Sequence, residues 1–262
     1  MTTDLAQASA VEALGAGRFH GVVPDGWQQG RGAFGGLVLA LLLRAIERSE
    51  PDPARSTRTL TGDLCGPVLP GPLEIVVETL RRGNNLSNLD ARLIQNGEVQ
   101  ARASAVLSVP RASVAAPART PPAAPGWDAL VDLGMGPPHA PVFTSHIEYR
   151  SATAAPFAGS DGTLGWLRPR APLARLDAPA LIAMLDAWWP AIFAIEGRPR
   201  PVATVSFTAE LLRPLASLQA DLPLLHVGRV AAISEGFFVE FRELWQGDHL
   251  VAMNQQTFAI LK

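Results

Sequence analysis

The sequence predicts an α+β protein made by duplication, in which each half wraps a curved antiparallel sheet around one long buried helix. Three observations carry that reading. Two apolar runs of helical length, Phe34 to Ile46 and Ala178 to Ile195, are each followed by a series of strand-like segments. A stretch with eight prolines between Pro110 and Pro141 parts the two series, and its composition suits neither a strand nor a long helix. The segments that end each half also match one another without a gap.

The first half is expected over residues 1–112. Its helix carries Leu37, Val38, Leu39, Leu41, Leu42 and Leu43 on every face, and a helix apolar all round is normally buried all round. Segments rich in Val, Leu, Ile and Thr follow near 57–65, 73–82, 88–95 and 99–109. Residues 113–143 read as a Pro/Ala-rich linker. The second half, 144–262, repeats the order, with Ala178 to Ile195 before segments near 202–212, 222–232, 237–246 and 249–261. NLDARLIQNGEVQARASAVLSV from Asn88 lies over VEFRELWQGDHLVAMNQQTFAIL from Val239 at a constant offset of 151, so that Gln95 meets Gln246 and Ala101 meets Ala252. Asn-Gly in the first run and Gly-Asp in the second are turn pairs of two-residue hairpins. A sheet curled around each helix encloses it, and two such units side by side form one continuous sheet that hides an edge of each. This is the hotdog fold in tandem, and its remaining edges lead us to expect a homodimer or higher homo-oligomer.

Composition removes several function classes. At 262 residues with 48% hydrophobic and 18% charged residues, the chain can bury a core without staples. A net charge of -2 offers no basic field for nucleic acid. The only lysine is Lys262, so a Schiff base, a pyridoxal-phosphate anchor and a phosphate-loop lysine lack a candidate inside the fold. Cys65 is the only cysteine, which forbids an intrachain disulfide and fits a reducing, cytoplasmic compartment. The N-terminal stretch lacks the basic start and apolar core of a secretory signal, so the mature chain is expected to begin here. Ala178 to Ile195 approaches the length of a membrane span but contains Asp186 and Pro190, and a buried helix away from any membrane explains it better.

Among possible sites, GRGAFGG from Gly30 has the glycine spacing of a dinucleotide fingerprint. The context of a preceding strand and a parallel partner is missing. Close backbone packing at the helix start, or N–H groups that bind an anion or polarise a carbonyl, fit it better. Asp186 is the most informative residue. Apart from two tryptophans, no other side chain from Ala178 to Ile195 is charged or hydrogen-bonding, and a buried carboxylate is costly enough to mark a function. The alternative is an Asp that faces solvent or caps a strand. Asp177, before Ala178 and Pro179, reads as the N-cap. In the final strand, Asn254 and Gln256 share the face of Ala252 and Phe258 while Gln255 takes the other, and periodicity does not choose between the glutamines. The five histidines form no ligand-spaced cluster, so no metal is expected. AISEG, from Ala232, approaches a serine-nucleophile elbow but lies between two strands and reads as a hairpin turn.

With these residues in place, the pattern resembles the double-hotdog acyl-CoA thioesterases similar to bacterial thioesterase II, across nearly the whole chain. In that family a Gly-Gly pair opens the first helix, as Gly35 and Gly36 do in AFGGLVLA. A second-helix Asp, a strand Thr and a last-strand Gln hold the hydrolytic water, and the resemblance maps these onto Asp186 in LIAMLDAWWP, Thr204 in RPVATVSF and Gln256 in LVAMNQQ. It is the resemblance that selects Gln256 over Gln255. Two features depart from the pattern. Alternation in VATVSFTAELL puts Thr204 with Ser206 and Thr208 on the polar face unless the strand bulges, and the bulk of Trp188 and Trp189 beside Asp186 bears on the acyl tunnel.

The resemblance implies hydrolysis of acyl-CoA by an activated water, with Asp186 as base or water orienter and Thr204 and Gln256 holding the water or carbonyl. A helix-start N–H at Gly35 or Gly36 would complete an oxyanion site. No cofactor is needed. The rival readings are a non-catalytic acyl-binding protein and a hotdog hydratase or dehydratase, which needs a His paired with an acid. The first helix run, Phe34 to Ile46, bears no carboxylate, and Ala105 stands at the offset of Gln256, so one site per chain is expected.

Overall fold

A computed structural model describes residues 3–112, 119–153, 156–157, 159–160, 162–196 and 200–261. The chain opens with a short helix α1 (Leu5–Ala8) and strands β1 (Val11–Gly15) and β2 (Arg18–Val23). A small ribbon, β3 (Gln28–Gln29) and β4 (Gly32–Ala33), leads into helix α2 (Gly35–Ser49). Four longer strands follow: β5 (Ser56–Leu64), β6 (Gly71–Arg82), β7 (Leu86–Gln95) and β8 (Glu98–Ser108). The second half supplies β9 (Ile147–Ser151), β10 (Thr163–Pro169), helix α3 (Ala178–Ala187) and a short helix α4 (Ile192–Ile195). It ends with β11 (Val202–Leu211), β12 (Leu224–Ser234), β13 (Phe237–Gln246) and β14 (His249–Ile260).

Twelve strands form one antiparallel sheet in the order β1-β2-β6-β7-β8-β5-β11-β14-β13-β12-β10-β9. Counted outward from the centre, the two halves use their strands in the same sequence, so the sheet is a tandem hotdog joined at β5 and β11, where Thr61 stands opposite Thr208. The offset of 151 holds down to irregularities. The β7–β8 hairpin slips register between Leu93 and Ile94, and the β13–β14 hairpin slips between Leu244 and Trp245. Gln95 and Gln246 also act alike. Gln95 accepts from Leu69 N at 2.7 Å and donates to Leu69 O at 2.9 Å, and Gln246 accepts from Gln219 N at 2.9 Å and donates to Gln219 O at 2.8 Å. Each pins the segment that leads into the next strand.

Helices α2 and α3 pack against each other and against the sheet. Leu37, Leu39, Leu41, Leu42 and Leu43 of α2 are fully buried, and each such side chain contributes about 1.5–3 kcal/mol by leaving water. The structure departs from the sequence reading in three places. First, α2 runs on to Ser49 and so includes a carboxylate, Glu47, whose Oε1 accepts the Thr57 hydroxyl at 2.6 Å. Second, the apolar run from Ala178 is two helices. Pro190 has no N–H to donate and drives Trp189 out of the helical region, so α3 stops at Ala187 with Trp188 extended. Third, each half gains two outer strands. In β1 only Val11 is buried, and in β10 the inward-facing Gly165 interrupts the apolar pattern, so neither shows clear alternation.

The segment between the halves lies against the second sheet. Arg119 pairs with Glu243 at 2.7 Å, and the Trp127 ring lies under the guanidinium groups of Arg150 and Arg168 at 4.2 and 4.6 Å. Leu133 N donates to Tyr149 O at 2.9 Å along the outer strand β9.

Candidate active site

Asp177 starts α3 as its N-cap, accepting Ala180 N at 3.0 Å. The helix break set by Pro190 then leaves Asp186 in the last turn, where the starts of α2 and the end of α3 cross. Two glycines permit that crossing. A Cβ on Gly35 would stand 3.0 Å from Asp186 Oδ2, and one on Gly36 would stand 2.9 Å from Asp186 Cβ. The Asp186 side chain is only 7% exposed. Burial pushes its carboxyl above the usual carboxylate range, and the Arg242 guanidinium, the Gln256 side chain and the Gly36 N–H pull it part of the way back.

Thr204 reaches the site through a bulge. Its neighbour Ser206 pairs with Thr257 while Thr204 itself pairs with Phe258, leaving Val205 as the extra residue. The bulge turns Thr204 onto the face of Phe207 and Ala209, against the simple alternation that put it with Ser206 and Thr208. There its hydroxyl donates to Gln256 Oε1 at 3.2 Å. Gln256 is fully buried and Gln255 is exposed. The Gln256 Nε2 completes no hydrogen bond among the described residues, yet it lies close enough to the Asp186 carboxyl to favour its ionised form. The structure thus brings Asp186, Thr204, Gln256, Gly35 and Gly36 together.

Asp186 and Thr204 open onto a cleft. Tyr149, Trp188, Trp189, Phe193, Phe258 and Phe143 supply its aromatic walls, and Met135 and Pro141 bring the connecting segment into it. Gln256 and the two glycines lie behind the lining, where they act on Asp186.

Sequence reasoning missed Arg242, which also lines the cleft. It is 1% exposed and its Nη1 lies 3.9 Å from Asp186 Oδ1. The same nitrogen donates to Leu185 O at 3.0 Å, and Nε donates to Glu240 Oε1 at 2.7 Å. Glu240, fully buried, accepts Ala191 N at 2.7 Å through its other oxygen, and burial raises its carboxyl. The sequence signal was two opposite charges two residues apart in a strand, which ordinarily marks a solvated face. His226 is buried beneath Trp188, ring centroids 5.0 Å apart, and burial holds its imidazole well below its usual range. Neither ring nitrogen has a partner among the described residues. Gly30 sits at the turn of the β3–β4 ribbon with φ +69°, and Ala232 to Gly236 runs from the end of β12 into its turn with β13. The described residues hold no group of three metal-ligating side chains.

The family described as the acyl-CoA thioesterase N-terminal domain matches residues 23–108, and that described as the acyl-CoA thioesterase C-terminal domain matches residues 115–260. A search by sequence among curated proteins gives no match. Among solved structures, a conserved protein of unknown function with a hot dog fold from Alicyclobacillus acidocaldarius is 26% identical with a TM-score of 0.91, over 100% of this chain and 99% of its own. An acyl-CoA thioesterase II from Mycobacterium marinum is 20% identical with a TM-score of 0.79, over 98% of each chain. The tesB protein of Mycobacterium avium subspecies paratuberculosis is 16% identical with a TM-score of 0.82, over 98% of each chain. With both of its halves matched in order over most of its length, the chain belongs to the acyl-CoA thioesterase family.

Proposed function

We propose that the protein hydrolyses acyl-CoA thioesters to free acid and CoA, using a water activated at Asp186. The observation that carries this is a single buried carboxylate opening onto an aromatic cleft, with Arg242 opposing the burial that would protonate it. The water oxygen bonds to the carbonyl carbon while its proton passes to Asp186, and the carbonyl electrons move to oxygen. The tetrahedral adduct then breaks its C–S bond, and the departing CoA sulfur takes the proton from Asp186. The Arg242 guanidinium, which lines the cleft, stabilises the developing oxyanion, while the α2 start at Gly35 and Gly36 acts on Asp186 from behind the lining. Thr204 orients the water, and Gln256 acts from behind by holding the Thr204 hydroxyl and the Asp186 carboxyl. Atoms and charge balance with water alone, so no cofactor is required.

A hydratase needs an imidazole paired with an acid at the substrate. His226 lies behind Trp188, and His146 stacks on Trp27 with its Nε2 at Gly26 O, so neither contacts a carboxylate by hydrogen bond among the described residues. The test is thiol release from a series of acyl-CoA esters, followed by a single turnover in heavy-oxygen water. Direct attack labels the acid in the first turnover. Thiol release with an unlabelled first-turnover acid would mean attack by Asp186 itself, and binding without thiol release would make this an acyl-binding protein.

A further inference from the structure

The cleft has a fixed back wall. Trp188 is 1% exposed, and its ring lies on Gly165, where an added Cβ would stand 2.5 Å from Trp188 Cη2. The ring stacks on His226 with 6° between planes, and Tyr149 meets it nearly edge-on at 5.6 Å. The Tyr149 hydroxyl donates to Ala187 O at 2.9 Å. Neither ring can turn without giving up buried contacts. The gap between the helices is shut beside Asp186, because the Gly36 backbone already lies against Asp186 Cβ. A thioester carbonyl held at Asp186 therefore keeps its acyl substituent within the cleft, among Trp188, Trp189, Phe193 and Phe258.

Those walls are flat and apolar, and aromatic faces and edges pair best with another ring, in offset-stacked or edge-to-face contact. Trp188, fixed against Gly165, Tyr149 and His226, closes that side of the cleft to a long alkyl chain. We infer that the acyl group is compact and flat, an aryl or arylacetyl thioester, and that Trp188 is the side chain that limits its length. This rests on the thioesterase reading above and names its substrate class.

The test compares phenylacetyl-CoA, hexanoyl-CoA and hexadecanoyl-CoA, the last below its micelle-forming concentration, on the wild-type chain. The expected kcat/KM falls in that order, with phenylacetyl-CoA ahead of hexadecanoyl-CoA by about tenfold or more. Trp188→Ala should narrow or reverse that ratio, and Trp188→Phe, which keeps a ring in the wall, should move it the same way by less if the alanine variant fails to fold. Hexadecanoyl-CoA or hexanoyl-CoA turned over as efficiently as phenylacetyl-CoA by the wild type would overturn the inference, as would an unchanged ratio in a folded Trp188 variant. If none of the three is hydrolysed, calorimetric binding of the same esters decides. Tighter binding of phenylacetyl-CoA keeps the ligand class while the hydrolytic reading fails, and equal or tighter binding of hexadecanoyl-CoA removes both.

Discussion

Asp186 is held in tension between burial, which favours the neutral acid, and Arg242, which favours the carboxylate. Because its carboxyl is raised in the folded chain, stability falls as the pH rises from the ordinary carboxylate range through that raised value, and the full cost is present above it. Asp186→Asn should therefore raise the Tm at neutral pH, with the gain shrinking as the pH falls toward the ordinary carboxylate range. A gain that grows on acidification would reverse the sign. Replacing Arg242 with Met removes the opposing charge while keeping bulk. The other ionisable groups around Asp186 are Glu240 and Tyr149, each shifted upward by the Asp186 charge as well as by burial, so none takes over from Arg242. We expect the acid limb of the kcat/KM profile to move to higher pH, with a loss of about tenfold or more at neutral pH, and Arg242→Lys to restore much of it. An unmoved limb in a folded variant contradicts this role. Asp186 was legible in the sequence because it interrupts an apolar helical run. Arg242 and Glu240 were not, because VEFREL carries apolar residues at the alternate positions, and periodicity places those inside. In the structure Phe241 turns outward under Arg229 instead, at 5.0 Å.

At the scale of the elements, one extra residue in β11 decides what the strand offers the site. Regular alternation would leave Thr204 on the outer face, and the bulge at Val205 brings it to Gln256. Thr204→Val should lower kcat by roughly tenfold, the worth of one well-placed hydrogen bond. Ser206→Ala and Thr208→Val, on the opposite face, should stay within about twofold of wild type by the same measure. The reverse ranking would show that the strand keeps simple alternation in solution. A bulge leaves no mark in hydrophobic pattern, which is why this element could be foreseen as a strand but not oriented. The helix break after Ala187 was more legible, since Pro190 stood in the sequence, yet the continuous apolar run around it favoured one long helix.

The whole molecule was legible as a duplication because the repeat survives in turns, clamping glutamines and register slips alike. The polar set occurs once. Counted from the helix starts, Leu43 of α2 stands where Asp186 stands in α3, and Ala105 stands at the offset of Gln256. At the other end of the helix pair Arg44 binds Asp177 at 2.5 Å, a close ion pair where the first end has Asp186 with Arg242 at 3.9 Å. Since the sheet crosses from β5 to β11 without a break and α2 and α3 bury each other, the halves should unfold in a single transition, coincident by far-UV circular dichroism and tryptophan fluorescence. Dispersed amide NMR signals from isolated residues 1–112 would show that one half folds alone. The function turns on Asp186 taking the proton of the attacking water, so the most direct measurement is the turnover of Asp186→Asn on the best acyl-CoA substrate found. A folded variant slowed by roughly 100- to 10,000-fold, the usual worth of a positioned base, is the predicted result, and a folded variant with wild-type turnover would contradict it.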